Sequence, residues 1–357
     1  MKKITTLLTA AVIAGGTINA QTDMNQYEEL KKSDVLSHNG NTWGLVYDGA
    51  LTENLPGKVN IHPIEYKSLD GTPLRANIYT PADYNPANSY AAIVVAHPNG
   101  GVKEQVSGMY AQLLAEKGYV TIAFDAQFQG ASGGEPRHTD KPYYRMEDIR
   151  RAADIIGSYP GVDGNRLGVL GICGGGGYTL KEAQTDKRFK RVATLSAFNS
   201  GPVRRNGFLD SDVNTIQQRL ADGIAARGKG ELMGDMSKVT AEAADKMPFD
   251  LYREGWYYYY QNYKHPNSTF LYTKESLPEL MDFDAAQGME LLNVPLLMIC
   301  GKNADTLYLS EGCFNKAVNT PTKELYLVPG ATHIQTYYVL EYVEAVMNKL
   351  TSFFNGL

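Results

Sequence analysis

Arg166-Leu-Gly-Val-Leu-Gly-Ile-Cys-Gly-Gly-Gly-Gly-Tyr178 is the stretch on which the fold turns. Leu167 to Ile172 reads as a buried strand, and a cysteine and four glycines separate it from the start of a helix. Gly171-x-Cys173-x-Gly175 has the spacing of a nucleophile elbow, with Cys in place of Ser. The spacing has a physical cause. A side chain held on a sharp strand-to-helix turn sits in strained backbone, and its neighbours must lack Cβ atoms for the chains to approach. The helix that follows aims its N-terminus at the thiol, which favours thiolate. One competing reading is a glycine-rich turn around a buried structural Cys. A dinucleotide loop fails on spacing, because a G-x-G-x-x-G begun at Gly171 needs glycine at position 173.

Working outward, 357 residues make one large domain or a domain with an insertion. Apolar residues at 43% and charged residues at 20% are ordinary for a globular chain. A net charge of −5 gives no reason to expect nucleic acid or an anionic membrane surface as partner. Three cysteines do not make a disulfide framework, and Cys300 and Cys313 read as buried thiols rather than a pair. Residues 1–20 read as an export signal. Lys2 and Lys3 form a basic start, Ile4 to Ile18 a short apolar run, and Ile18-Asn19-Ala20 a cleavage site. The run is too short for a membrane span, so a periplasmic or secreted product is expected.

Residues 21–56 read as an N-terminal arm without a clear strand, docked by Trp43-Gly-Leu-Val-Tyr47. The core is expected in two parts, 57–199 and 291–357. Val59 to Tyr66 and Leu74 to Tyr79 flank Asp70-Gly71, a hairpin signal. Ala91 to Ala96, Tyr119 to Phe124, Leu167 to Ile172, Arg191 to Ser196, Val294 to Cys300 and Glu324 to Val328 read as further strands. Helical patterns alternate with them, the last from Tyr337 to Phe354. That alternation predicts an α/β fold with a mostly parallel, doubly wound sheet opened by an antiparallel hairpin. Residues 200–290 break the rhythm. Thr215 to Ala226 and Glu242 to Glu254 look helical, followed by the aromatic run Trp256 to Tyr260, and the segment reads as an inserted helical lid. The aromatic rings either wall a pocket or pack the lid onto the body.

Cys173, Asp305 and His333 each fall just past a strand's carboxyl end, in the order nucleophile, acid, base. His333 takes the thiol proton and returns it to the leaving group, and an acid behind the imidazole fixes its tautomer. Asp305 is the first choice of acid and Glu311 the second. Oxyanion donors are expected from the Gly174 N–H and from Asn99 or Gly100 in the loop His97-Pro-Asn-Gly-Gly101. His97, Asp125 and Arg137 read as loop-ordering residues. No cluster has metal-ligand spacing, so no metal is expected.

His97-Pro-Asn-Gly-Gly-Val-Lys-Glu-Gln105, Phe124 to Arg137, Gly171-Ile-Cys-Gly-Gly175 and Val328-Pro-Gly-Ala-Thr-His333 together resemble the dienelactone-hydrolase-like branch of the α/β-hydrolases. The resemblance implies the α/β-hydrolase fold and a Cys–His–Asp hydrolase that needs no cofactor. It departs from dienelactone hydrolase proper in the lid, and in Pro98, which stands where that enzyme has a glutamate controlling its thiol. The expected activity is hydrolysis of a small-molecule ester, thioester or lactone through an acyl-Cys intermediate. A peptidase of the same fold, a non-catalytic binding protein and a thiol sensor based on Cys173 are the alternatives.

Overall fold

The computed structural model describes residues 25–357. The expected export signal at 1–20 lies outside the described residues, and among those described no helix is long and apolar enough to cross a membrane. In chain order the elements of the first half are β1 (Tyr27–Glu29), β2 (Asn60–Lys67), β3 (Pro73–Thr80), β4 (Tyr90–Ala96), α1 (Val106–Ala115), β5 (Val120–Phe124), α2 (Pro142–Gly157), β6 (Val162–Ile172), α3 (Gly174–Ala183) and β7 (Phe189–Leu195). The segment that follows carries α4 (Ser200–Asn206), α5 (Ile216–Ala225), β8 (Leu232–Met233), α6 (Ala241–Asp245), α7 (Asp250–Tyr257), β9 (Tyr272–Thr273) and α8 (Leu277–Asp282). The main sheet then resumes with β10 (Leu296–Gly301), α9 (Leu307–Lys316), β11 (Lys323–Val328) and α10 (Leu340–Phe354).

Nine strands form the main sheet in the order β1-β2-β3-β5-β4-β6-β7-β10-β11. The first three pair antiparallel, β3 pairs antiparallel with β5, and β5 through β11 run parallel. The hairpin turns where expected, with Asp70 Oδ1 accepting from Ser68 Oγ at 2.5 Å and Thr72 N at 3.1 Å. The parallel strands β4, β5 and β10 and the Leu167–Ile172 half of β6 are buried and almost wholly apolar because both faces are covered, whereas the edge strand β11 is mostly exposed or half-buried. Along β4, Ile93 and Val95 pack with α1 and α10 residues, while Ala92 and Val94 pack with α2 and α3 residues on the other face.

The N-terminal arm departs from the sequence reading. It does contain a strand, β1, which adds to the open edge of β2, and Trp43, Leu45 and Tyr47 are buried as expected. Glu242 to Glu254, read as one helical pattern, is two helices. Pro248 excludes the residue before it from helical backbone, so α6 stops and α7 starts afresh. The closing helix also starts later than expected. Ile334–Tyr337 is a 3-10 turn, and α10 begins at Leu340.

Candidate active site

Cys173 sits at the end of β6 with φ 53° and ψ −121°, a strained conformation for a residue with a side chain. The surrounding backbone holds it there. Its N–H donates to Leu195 O at 2.9 Å, and its carbonyl accepts from Gly176 N at 2.9 Å and Phe198 N at 2.8 Å. Glycine is required next to it by contact. A Cβ on Gly174 would lie 2.1 Å from Asn99 Oδ1, and one on Gly175 would lie 2.5 Å from the carbonyl oxygens of Ala96 and His97. The β4 and β6 loops are therefore pressed together over the sulfur.

The sulfur is buried, and three groups reach it: the Tyr337 hydroxyl and the backbone N–H groups of Gly174 and Asn99. Burial pushes the thiol above its ordinary value, and these three hydrogen bonds only partly offset it. The helix N-terminus behind Cys173 thus fails to produce the standing thiolate that the sequence suggested. Asn99 supplies the second N–H, and its Nδ2 donates to Ser200 Oγ at 3.0 Å, which fixes the loop. Gly100 instead turns the chain at φ +72°, and its carbonyl accepts from Ser268 Oγ at 2.7 Å.

His333 is buried, and burial lowers it to about 3, so its imidazole is neutral. Its Nε2 lies 2.9 Å from Tyr337 Oη and its Nδ1 lies 2.6 Å from Thr306 Oγ1. The loop carrying it is tied to β7, with Thr336 Oγ1 donating to His333 O at 2.7 Å and lying 3.2 Å from Ser196 Oγ. A line of four side chains results: Cys173, Tyr337, His333, Thr306.

Asp305, expected behind the imidazole, is placed elsewhere. Its Oδ2 accepts from Leu251 N at 3.0 Å in the first turn of α7. The four free N–H groups of a helix start draw a carboxylate strongly, and the neighbouring Thr306 faces the histidine in its stead. Glu311 is exposed on α9. Tyr337 and Thr306 were both missed in the sequence. The spacing His333-x-x-x-Tyr337 was the available signal, because residues four apart on a helical turn share a face.

The other expectations concern the surroundings. His97 Nδ1 donates to Pro98 O at 2.7 Å, and its Nε2 accepts from Ala126 N at 3.1 Å, joining the loops after β4 and β5. Asp125 accepts from Lys103 N, Lys103 Nζ and Ala131 N at 2.8 Å each, and Arg137 Nη2 donates to Gly130 O at 2.8 Å. Cys300 and Cys313 are unpaired buried thiols, both pushed up to about 12 by burial. Among the described residues no group of three or more His, Cys, Asp or Glu could hold a metal ion.

Above the sulfur lies a cavity of about 150 Å³, lined by Asn99, Cys173 and Tyr337 from the core and by Arg204, Trp256 and Tyr259, among others, from the segment between β7 and β10. The aromatic run divides its labour. Trp256 and Tyr259 wall this cavity, and Tyr258 packs against Tyr337, Tyr263 and Tyr338.

The dienelactone hydrolase family model matches residues 74–218. The chain is 37% identical over 288 residues to the uncharacterized protein YcjY of Escherichia coli (strain K12), covering 79% of this chain and 93% of that one. It is 32% identical over 345 residues to the uncharacterized protein PA2218 of Pseudomonas aeruginosa, covering 90% and 89%. The crystal structure of PA2218 superposes with a TM-score of 0.76, covering 87% of this chain and 98% of that one. A thiohydrolase, aneE of Aspergillus aculeatus, is 28% identical over 168 residues, covering 47% of this chain and 51% of that protein. A parallel sheet carrying a nucleophile elbow, with these relatives over most of its length, identifies the chain as an enzyme of the dienelactone-hydrolase-like branch of the α/β-hydrolase family.

Proposed function

We propose that the protein cleaves a carboxylic thioester, ester or lactone through an acyl intermediate on Cys173. The observation that supports this most directly is the convergence on one strained, buried sulfur of two backbone N–H donors and a hydroxyl that also contacts a neutral imidazole. The thiohydrolase among the relatives favours thioesters within that set.

With the His333 proton on Nδ1, shared with Thr306, Nε2 accepts from Tyr337 and Tyr337 Oη accepts from the thiol. As the sulfur attacks the carbonyl carbon, the thiol proton passes to Tyr337 Oη and the tyrosine's own proton passes to Nε2. The carbonyl oxygen becomes an oxyanion held by Asn99 N–H and Gly174 N–H, each such donor worth about 3 kcal/mol. Collapse breaks the bond to the alcohol or thiol leaving group, which takes the proton back along the same line. Water then attacks the acyl-Cys thioester, gives its proton to the relay, and releases the acid and the thiol. The thiol loses its proton as the carbon–sulfur bond forms, because neither resting group is ionised.

Incubation with p-nitrophenyl acetate and a short acyl thioester, followed by intact-mass measurement, tests the reading. An acyl adduct on residue 173 and turnover are expected in the wild type, with both lost in Cys173→Ala and turnover lost in His333→Ala. A wild type that is inert to both substrates, with Cys173 unreactive to iodoacetamide, would overturn it.

A further inference from the structure

The cavity over Cys173 is apolar in most of its wall, with Phe198, Leu251, Phe270 and Ile334 contributing. Three residues of that wall each carry a donor atom, Arg204 Nε, Trp256 Nε1 and Tyr259 Oη. All three atoms are buried, and none has an acceptor among the described residues. Trp256 is only 4% exposed and Tyr259 only 3%. Arg204 differs from two other guanidinium groups of the same segment that do find carboxylates. Arg219 donates to the carbonyls of Arg204 and Arg205 and pairs with Asp212, and Arg253 pairs with Asp250. Arg204 has no carboxylate partner among the described residues. Its guanidinium lies over the Tyr272 ring at 4.5 Å, and Nη1 reaches Tyr272 Oη at 3.4 Å.

Buried donors are normally satisfied, and a donor left dry by its ligand weakens binding. A plain alkyl chain filling this cavity would leave all three dry. We infer that the pocket selects a short acyl group that carries acceptor oxygens of its own, with the most electron-rich of them placed at Arg204. This deepens the acyl-transfer reading and rests on it. The acceptor can be a neutral carbonyl or a carboxylate. A guanidinium favours the carboxylate, whereas Trp256 and Tyr259 serve either.

Three N-acetylcysteamine thioesters of similar length separate the cases: hexanoyl, 5-oxohexanoyl and glutaryl. The wild type is expected to turn over at least one oxygenated substrate with a kcat/KM about 10- to 100-fold above hexanoyl. In Arg204→Met the glutaryl-to-hexanoyl ratio is expected to fall toward one, and in Tyr259→Phe the 5-oxohexanoyl-to-hexanoyl ratio is expected to drop. Each ratio is internal to one protein, so a general loss of folded enzyme does not mimic the result. Glutaryl in the lead assigns an anionic substrate, and 5-oxohexanoyl a neutral one. A wild type that prefers hexanoyl, or shows no preference, overturns the inference. So does a preference that survives in both variants. If the wild type cleaves none of the three, the acyl-transfer reading itself falls and this inference with it.

Discussion

Replacing Tyr337 with Phe removes one oxygen from the centre of the site and leaves the ring that packs against Tyr258. The structure sets the size of the effect. An ordinary thiol at 9.0 already stands about six above His333 at about 3, and burial widens the gap on the thiol side. Moving the proton before the carbon–sulfur bond forms would therefore cost on the order of 8 kcal/mol before the attraction between the two new charges is counted, at about 1.4 kcal/mol for each factor of ten. The transfer has to accompany attack along an unbroken path, and Tyr337 Oη is the link between sulfur and imidazole. Without it, the general-base contribution of about 10²–10⁴-fold is lost. A hydroxyl that only packed would cost about 1 kcal/mol, or roughly fivefold. The assay is single-turnover acylation by an acyl thioester, followed by intact mass between pH 4 and 10. The wild type is expected to hold its rate from about pH 5 to 8, because an imidazole titrating at about 3 stays unprotonated across that range. Tyr337→Phe is expected to fall at least 100-fold at pH 7. It should recover as the pH rises past the thiol's raised ionisation, where hydroxide makes thiolate without a relay. Iodoacetamide should show the same late rise in both proteins. A Tyr337→Phe enzyme within about fivefold of wild type at pH 7 refutes the relay, and rapid alkylation at pH 5 to 6 refutes the neutral resting pair.

Three further outcomes follow from contacts around this line. Thr306→Val, which strips the partner from His333 Nδ1, should lower kcat about tenfold; Asp305→Asn should cost less, acting only through α7, and the reverse order in steady-state kinetics would reinstate Asp305 as the acid. Gly174→Ala drives a methyl into Asn99 and should cut kcat by about 10²–10³ through the displaced N–H, with ester turnover as the readout and urea melts confirming that the protein is folded. Asp148 is buried, which raises its carboxyl to about 8, with the Gln127 N–H only partly opposing. It is protonated in the fold and ionised in the unfolded chain above about 4, so its contribution is complete below pH 4 and is lost as the pH climbs toward 8. Asp148→Asn should therefore match wild type near pH 4 and exceed it at pH 8 by on the order of a few kcal/mol in urea unfolding.

Which of these features could be read from the sequence depends on how locally each is determined. The elbow was legible because its first glycine answers to contacts a few residues away: a Cβ on Gly171 would lie 2.5 Å from Gly175 O and 2.6 Å from Gly176 Cα, although Gly174 and Gly175 answer to Asn99 and Ala96 on a distant loop. The parallel strands were legible because burial on both faces demands an unbroken apolar run such as Ala91 to Ala96. The acid was not legible. Asp305 and Thr306 are adjacent, and the one that faces His333 is decided by α7, 54 residues earlier in the chain, whose N–H groups claim the carboxylate. Tyr337 was hidden in the same way, because it read as the first residue of α10 and only the 3-10 turn Ile334–Tyr337 swings its hydroxyl back to His333 Nε2. Arg204 gave no local sign at all, since an arginine on an inserted helix is ordinarily solvated, and only the folded segment shows that no carboxylate among the described residues pairs with it. The chemistry of attack thus lies in short motifs, while the choice of base geometry and acyl group lies in long-range contacts. That division places the reaction class within reach of a family motif and puts substrate choice in the segment between β7 and β10, where Arg204, Trp256 and Tyr259 meet the cavity.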